Sequence, residues 1–270
     1  MFHPPVWLAT AIDVVLRAGE IQIRHQGGEL EIDKKGAIDL VTKVDLEVER
    51  MCRDIIARRF PDHKVLAEEL ENEVASPGTP HRWVFDPVDG TVNYVHGLPT
   101  FCSCLALEVD GRPEVAAVFD PTRRELFTAE RGAGAWLNGR PLGVSGADTL
   151  LDSMLCTGFP YDVHEHVDEA ISLFGEFVAR ARAVRRLGSA ALDLCYVAAS
   201  RLDGFWEQGL RPWDLSAGSL IVEEAGGRVS RFDGTTFDTQ CGQIVATNGK
   251  IHDQIIEVIN TNERAQNRTT

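Results

Sequence analysis

Apolar residues recur at helical spacing over residues 5–26 (Val6, Ala9, Ile12, Val15, Leu16, Ala18, Ile21), and Gly27-Gly28 ends the run. A second amphipathic helix is predicted from about Val44 to Phe60, through Leu46, Val48, Met51, Ile55 and Ile56, and is closed by Pro61. Lys64-Val65-Leu66 predicts a short strand running into Glu68 and Glu69, and His81 to Phe85 predicts another. From Phe101 to about Phe127, β-rich runs are broken at Asp110-Gly111 and Asp120-Pro121. Both are turn signals, so an antiparallel meander is expected, continuing towards Asn138-Gly139.

Beyond residue 150 the pattern changes to alternating strands and helices. Strand-like Ser153 to Cys156 leads through Gly158-Phe159-Pro160 to a helix predicted near Val167 to Arg182. Another helix follows Gly188-Ser189, a strand lies near Gly204 to Glu207, and a helix runs from Asp214 to Gly226-Gly227. A last helix is predicted from Ile251 to Ile259. With no internal repeat or low-complexity linker, the shift predicts two apposed halves. Residues 1–150 form an α+β half and 151–262 an α/β half, with any active site in the seam. The polar tail, 263–270, is expected to fray.

A chain of 270 residues with 44% hydrophobic and 25% charged residues can build a sizeable core without disulfide or metal staples. Its formal net charge of −14 repels a phosphate backbone, so a nucleic-acid partner is not expected. An anionic small substrate would need bound cations to reverse the sign locally. The six cysteines (Cys52, Cys102, Cys104, Cys156, Cys195, Cys241) form no CxxC pair, which predicts free thiols in a reducing compartment. Asp13 and Arg17 interrupt the first apolar run, so it reads as neither signal peptide nor membrane span, and a cytoplasmic location is expected.

The segment richest in chemistry is Trp83-Val84-Phe85-Asp86-Pro87-Val88-Asp89-Gly90-Thr91-Val92-Asn93. A buried strand ends in Asp86, and Pro87 holds that residue extended. Asp89 comes one tight turn later, so the two carboxylates can converge, and Gly90-Thr91 can open a helix whose free amides face an anion. Acids bunched in this way repel one another unless a cation neutralises them, and hard oxygen ligands favour magnesium or manganese over zinc. A lone Asp at a helix start is more simply a cap; a pair in this spacing is not. Glu68-Glu69 at a strand end and Trp213-Asp214 at a helix start add hard ligands to the set.

Taken together, these motifs resemble the inositol monophosphatase family of metal-dependent phosphatases, from about residue 5 to 260. The resemblance rests on Asp39-Leu40-Val41-Thr42 with Asp45, on Glu68-Glu69, on Asp86 to Asn93, and on Trp213-Asp214 continuing to Glu224-Ala225-Gly226-Gly227. Val92 and Tyr94 stand where the family commonly has threonine and phenylalanine, and Ala67 where glycine often precedes the Glu pair. The resemblance implies a mixed α/β fold, a layered αβαβα sandwich of the inositol monophosphatase/fructose-1,6-bisphosphatase type, and a homodimer. It implies two or three Mg2+ ions (Mn2+ is an alternative): Glu68, Asp86 and the Val88 carbonyl on one, and Asp86, Asp89 and Asp214 on a second. A weaker third ion is implied near Glu68. Thr91, with Asp45 behind it, would hold and help activate the attacking water. The Gly90 and Thr91 amides would receive the phosphate, and Asp89, Gly188-Ser189-Ala190 and Glu207 the polyol hydroxyls. Lys34 would lie near the first metal, and Arg211 would touch substrate or form an ion pair.

The implied reaction is hydrolysis of myo-inositol monophosphate by metal-activated water. Fructose-1,6-bisphosphatase, 3′-phosphoadenosine 5′-phosphate phosphatase and histidinol-phosphatase are alternatives on the same scaffold. Glu207 favours a polyol, because a carboxylate accepts two hydroxyl hydrogen bonds. A metal-stabilised binding protein is the alternative of another class. His164-Glu165-His166 begins a helix, where i and i+2 do not share a face, and is expected to be a solvated start. His96 is expected at most at the edge of the site. The Glu224-Ala225-Gly226-Gly227 run follows a helix and lacks a nucleotide-loop pattern, so it reads as a C-cap.

Overall fold

A computed structural model describes residues 4–27, 32–34, 40–70 and 79–266. The first half runs α1 (Pro4–His25), β1 (Ile32–Lys34), β2 (Leu40–Thr42), α2 (Lys43–Arg59), β3 (Lys64–Ala67), β4 (His81–Asp89) and α3 (Thr91–Val95). It continues through β5 (Cys102–Val109), β6 (Arg112–Asp120), β7 (Glu125–Glu130), β8 (Gly134–Leu137) and β9 (Arg140–Pro141). The second half holds β10 (Met154–Thr157), α4 (Val167–Val178), β11 (Ala183–Arg185), α5 (Ala190–Ala198), β12 (Gly204–Gln208), α6 (Pro212–Glu224), β13 (Arg228–Ser230), β14 (Gln243–Thr247) and α7 (His252–Gln266).

Strands β3 to β9 form a seven-stranded sheet in chain order, with β3 parallel to β4 and every later pair antiparallel. The second sheet has the order β11-β10-β12-β14-β13, parallel from β11 to β12 and antiparallel beyond. Alternation along each strand explains the layering. On β5, Leu105 and Leu107 face α1 and α2 beside Val14, Ala18, Val48 and Ile56, whereas Cys104 and Ala106 face Leu194 of α5 and Leu220 of α6. On the second sheet, Phe205 and Ala246 look inward to α5 and α6, while Trp206 and Val245 pack on Phe177 of α4 and Ile255 of α7. The result is the expected five-layer αβαβα sandwich. Each large side chain buried in these layers contributes roughly 1.5–3 kcal/mol.

Several boundaries differ from expectation. The helix predicted to reach Arg182 stops at Val178, because Ala183 and Val184 pair with Met154 and Leu155 as an edge strand. Sheet pairing there overrides a run of good helix formers. Helix α6 starts at Pro212 rather than Asp214, with proline in the first turn where its missing N–H costs nothing. Helix α7 continues to Gln266, so residues 263–266, expected to fray, are helical. Strand β4 runs past Phe85 to Asp89, with a register shift against β5 between Asp86 and Asp89. That irregularity turns the strand end into the site.

Candidate metal centre

Asp86, Asp89 and Asp214 each offer a carboxylate oxygen within 4.8 Å of the others. Asp86 and Asp89 are buried, and Asp214 is half-buried in the first turn of α6. A bulge at the end of β4 makes this possible: the Asp86 Oδ1 accepts the Val88 N–H at 2.9 Å, bending the chain between the two acids. The back of the turn is anchored by the Pro87 carbonyl, which accepts from Gln22 Nε2 at 2.9 Å and Ser103 Oγ at 2.7 Å. Gly90 then takes φ +94°, and a β-carbon there would stand 2.9 Å from the Thr100 carbonyl, so only glycine suits the position.

Burial, then the nearby Glu68, Asp89, Asp214 and Asp45, push the Asp86 carboxyl well above its ordinary range. Burial likewise raises Asp214, against the lowering hydrogen bond from the Arg211 N–H, which its Oδ2 accepts at 2.6 Å. Burial raises Asp45 to about 6. Its Oδ2 accepts from the Thr42 N–H at 2.8 Å and the Thr42 hydroxyl at 2.5 Å, while its buried Oδ1 has no hydrogen-bond partner among the described residues. Carboxylates gathered this closely, with an orphaned oxygen beside them, fit a hard divalent cation. Burial drives the nearby thiols of Cys102 and Cys104 far up, and the donors that converge are carboxylate oxygens.

Asp89 is tied into the other half of the molecule. Its Oδ2 accepts from the Ser189 hydroxyl at 2.5 Å and the Ala191 N–H at 2.8 Å, and its Oδ1 from the Ala190 N–H at 3.2 Å. Ser189 makes no cap bond to its own helix; Asp89 caps α5 in its place. Asn93 closes the same seam, its Nδ2 donating to the Thr100 and Leu187 carbonyls, each at 2.8 Å. Ser189 and Ala190, expected to contact the polyol, thus also orient Asp89. Thr91, buried at the start of α3, donates its hydroxyl to the Val88 carbonyl at 2.8 Å rather than to Asp45.

Glu207 is buried on β12 against Gly158, with Asp193 and Arg186 close enough to act on its charge. Arg211 is exposed beside Asp214 and forms no ion pair among the described residues. Lys34 pairs with Leu40 through the β1–β2 ladder, but its side chain, like Asp39, lies outside the described residues. His164 and His166 are exposed ahead of α4, and His96 is exposed after α3. Glu49, Gln22 and Ser103 are contributors that sequence reasoning missed. Nothing local marks them, because their partners lie on other elements.

The sequence profile of the inositol monophosphatase family matches residues 5–264. The chain belongs to that family. It is 43% identical to inositol-1-monophosphatase of Synechocystis sp. over 254 residues, covering 94% of this chain and 88% of that protein. It is 46% identical to Nus factor SuhB of Escherichia coli over 251 residues, covering 92% and 93%. The solved structure of inositol monophosphatase from Anabaena (Nostoc) sp. superposes with a TM-score of 0.87 at 38% identity, covering 95% of this chain and 96% of that one. The inositol monophosphatase family is one of metal-dependent phosphatases, and the Asp86, Asp89, Asp214 cluster is where an ion fits this member. No helix among the described residues is long and apolar enough to cross a membrane.

Proposed function

We propose that the chain is a Mg2+-dependent phosphomonoesterase that hydrolyses myo-inositol monophosphate to inositol and phosphate. The convergence of Asp86, Asp89 and Asp214 in a buried seam carries this reading. Glu68, Asp86 and the Val88 carbonyl hold one ion, and Asp86, Asp89 and Asp214 a second; Mn2+ can substitute. Bound there, the ions supply Lewis acidity towards the phosphoryl group and lower the pKa of water. The chain's own residues do the rest. Because the Thr91 hydroxyl proton is committed to the Val88 carbonyl, its oxygen lone pairs accept a hydrogen bond from the attacking water and aim it. Asp45 Oδ1, buried and without a hydrogen-bond partner among the described residues, takes up the released proton. The first-turn amides of α3, at Gly90 and Thr91, receive the phosphate oxygens. Glu207 offers its two carboxyl oxygens as acceptors to the polyol hydroxyls. Gly188, Ser189 and Ala190 are further contacts for the polyol hydroxyls, Lys34 acts on the side of the first metal, and Arg211 is a further substrate contact.

Two finer points accompany this. The chain works as a homodimer, and it works in the cytoplasm, a location supported by six free cysteines, five of them buried. Its net charge of −14 argues against direct contact with nucleic acid. The name Nus factor belongs to the SuhB relatives and adds no such contact here.

The deciding experiment is phosphate release with and without Mg2+ from inositol 1-phosphate, fructose 1,6-bisphosphate, histidinol phosphate and 3′-phosphoadenosine 5′-phosphate. Strongest turnover on inositol phosphate supports the proposal, and strength elsewhere keeps the mechanism but changes the substrate. Asp86→Asn is expected to abolish turnover and leave the fold intact. Metal binding with silence across the panel would point to a binding protein.

A further inference from the structure

Helix α2 carries two fully buried carboxylates, Asp45 and Glu49. They stand four residues apart and so lie one above the other on a single face. Asp45 faces the metal centre; Glu49 does not touch it. The Glu49 Oε2 accepts the Glu69 N–H at 2.7 Å, and its Oε1 accepts the Leu70 N–H at 3.1 Å. One turn further along, Arg53 donates Nε to Oε1 at 2.8 Å. A buried carboxylate is costly unless such charge-assisted bonds compensate it, so these contacts hold Glu49 and the chain it grips in one arrangement.

What Glu49 grips is the backbone just past Glu68. Strand β3 ends at Ala67, which is paired with Phe85 in the ladder, and residues 68–70 form a bend beyond it. Glu68 thus sits between two fixed points, the last ladder residue on one side and the Glu49 clamp on the other. Its charge is the one that acts most strongly on Asp86 among the surrounding groups. Helix α2 is independently held by Val44, Val48, Cys52, Ile55 and Ile56 in the core. Losing the clamp would therefore free the bend more than the helix.

We propose that Glu49 is a positioning residue that sets the affinity of the Glu68 side of the site for a divalent cation. It acts by fixing the backbone at Glu69 and Leu70, without touching the ion or substrate. This rests on the reading of Glu68 as a metal ligand. The same helix face then serves both sides of the site: Asp45 handles the proton and Glu49 the ligand loop.

The test is a calorimetric Mn2+ titration of the full chain and of Glu49→Gln, Leu70→Pro and Glu68→Gln, with melting temperature in chelator and the Mg2+ dependence of turnover measured alongside. Glu49→Gln is isosteric but presents an N–H group to a donor; Leu70→Pro deletes one gripped N–H and leaves α2 untouched. Both are expected to weaken Mn2+ binding about tenfold or more. The Mg2+ half-saturation should rise in parallel, kcat at saturating metal should be kept, and metal-free melting should change little. Wild-type Mn2+ affinity in both variants while Glu68→Gln loses it would overturn the proposal. If Glu49→Gln fails to fold, Leu70→Pro decides by the same criterion. Unchanged binding in Glu68→Gln would instead overturn the reading of Glu68 itself.

Discussion

Glu207 shows what burial does to a carboxylate that has others for neighbours. Burial first, and then repulsion from Asp193 and Asp89, raise it from an ordinary 4.5 to about 8, with Arg186 opposing. Asp45 moves in the same direction, from 3.8 to about 6, again chiefly through burial. In both cases the folded protein keeps a proton that the unfolded chain releases. Their stabilising contribution is thus complete below the unfolded values and is lost as pH rises through the folded ones. The metal-free protein is expected to melt at falling temperatures between about pH 5 and about pH 8.5. Saturating Mg2+ should remove most of that slope, because an adjacent cation favours the ionised carboxylates. Glu207→Gln should flatten the part between about pH 6 and about pH 8. Scanning calorimetry across pH, with and without chelator, checks this, and a metal-free melting temperature that rises with pH would contradict it.

At the level of elements, the site is a set of strand and helix ends held by bonds from elsewhere. The end of β4 is bent by its own Asp86 side chain, braced by Gln22 of α1 and Ser103 of β5, and continued through Gly90 into α3. The loop after β10 meets β12 in a comparable way: a β-carbon on Gly158 would land on the Glu207 carboxylate. Gly158→Ala is therefore expected to push Glu207 from its place and lower kcat/KM for inositol phosphate roughly tenfold or more. The loss should fall mainly on KM, and Mn2+ affinity should be unchanged, since the carboxylate cluster lies on other elements. Steady-state kinetics beside a metal titration separate the two effects. Equal losses in both would mean that Gly158 supports the whole seam instead.

Across the whole molecule, the two halves are joined near both ends of β5. At the site end, Asp89 caps α5 and Asn93 holds the turn before it. At the far end, the fully buried Glu108 bonds Arg82 on the neighbouring strand, Ser216 on α6, and the Thr239 hydroxyl at 2.9 Å. Glu108→Ala would leave two buried hydroxyls and a half-buried guanidinium without their shared acceptor. A loss of about 3 kcal/mol in urea unfolding is expected, with metal affinity nearly unchanged because the network is remote from the site. A neutral result would show that water replaces the carboxylate there.

The Asp86 and Asp89 carboxylates of the candidate metal centre were legible in the sequence because their signal is local. Asp-Pro-Val-Asp-Gly-Thr packs a bend, two acids and a helix start into six consecutive positions, and α1 and α2 are long enough for their periodicity to show. The short strands β11, β13 and β14 were not legible, since three to five residues carry little pattern and β14 is buried on both faces, which erases alternation. Nor could spacing reveal that Ser189 and Ala190 orient Asp89, or that Glu49 grips the chain beyond Glu68. A hydrogen bond depends on where two atoms come to rest, and that is set by the packing of layers rather than by neighbours in the chain. Residue type and local order thus determined which groups could bind a cation. The tertiary structure decided which of them converge, which are held in place by other elements, and which stay at the surface.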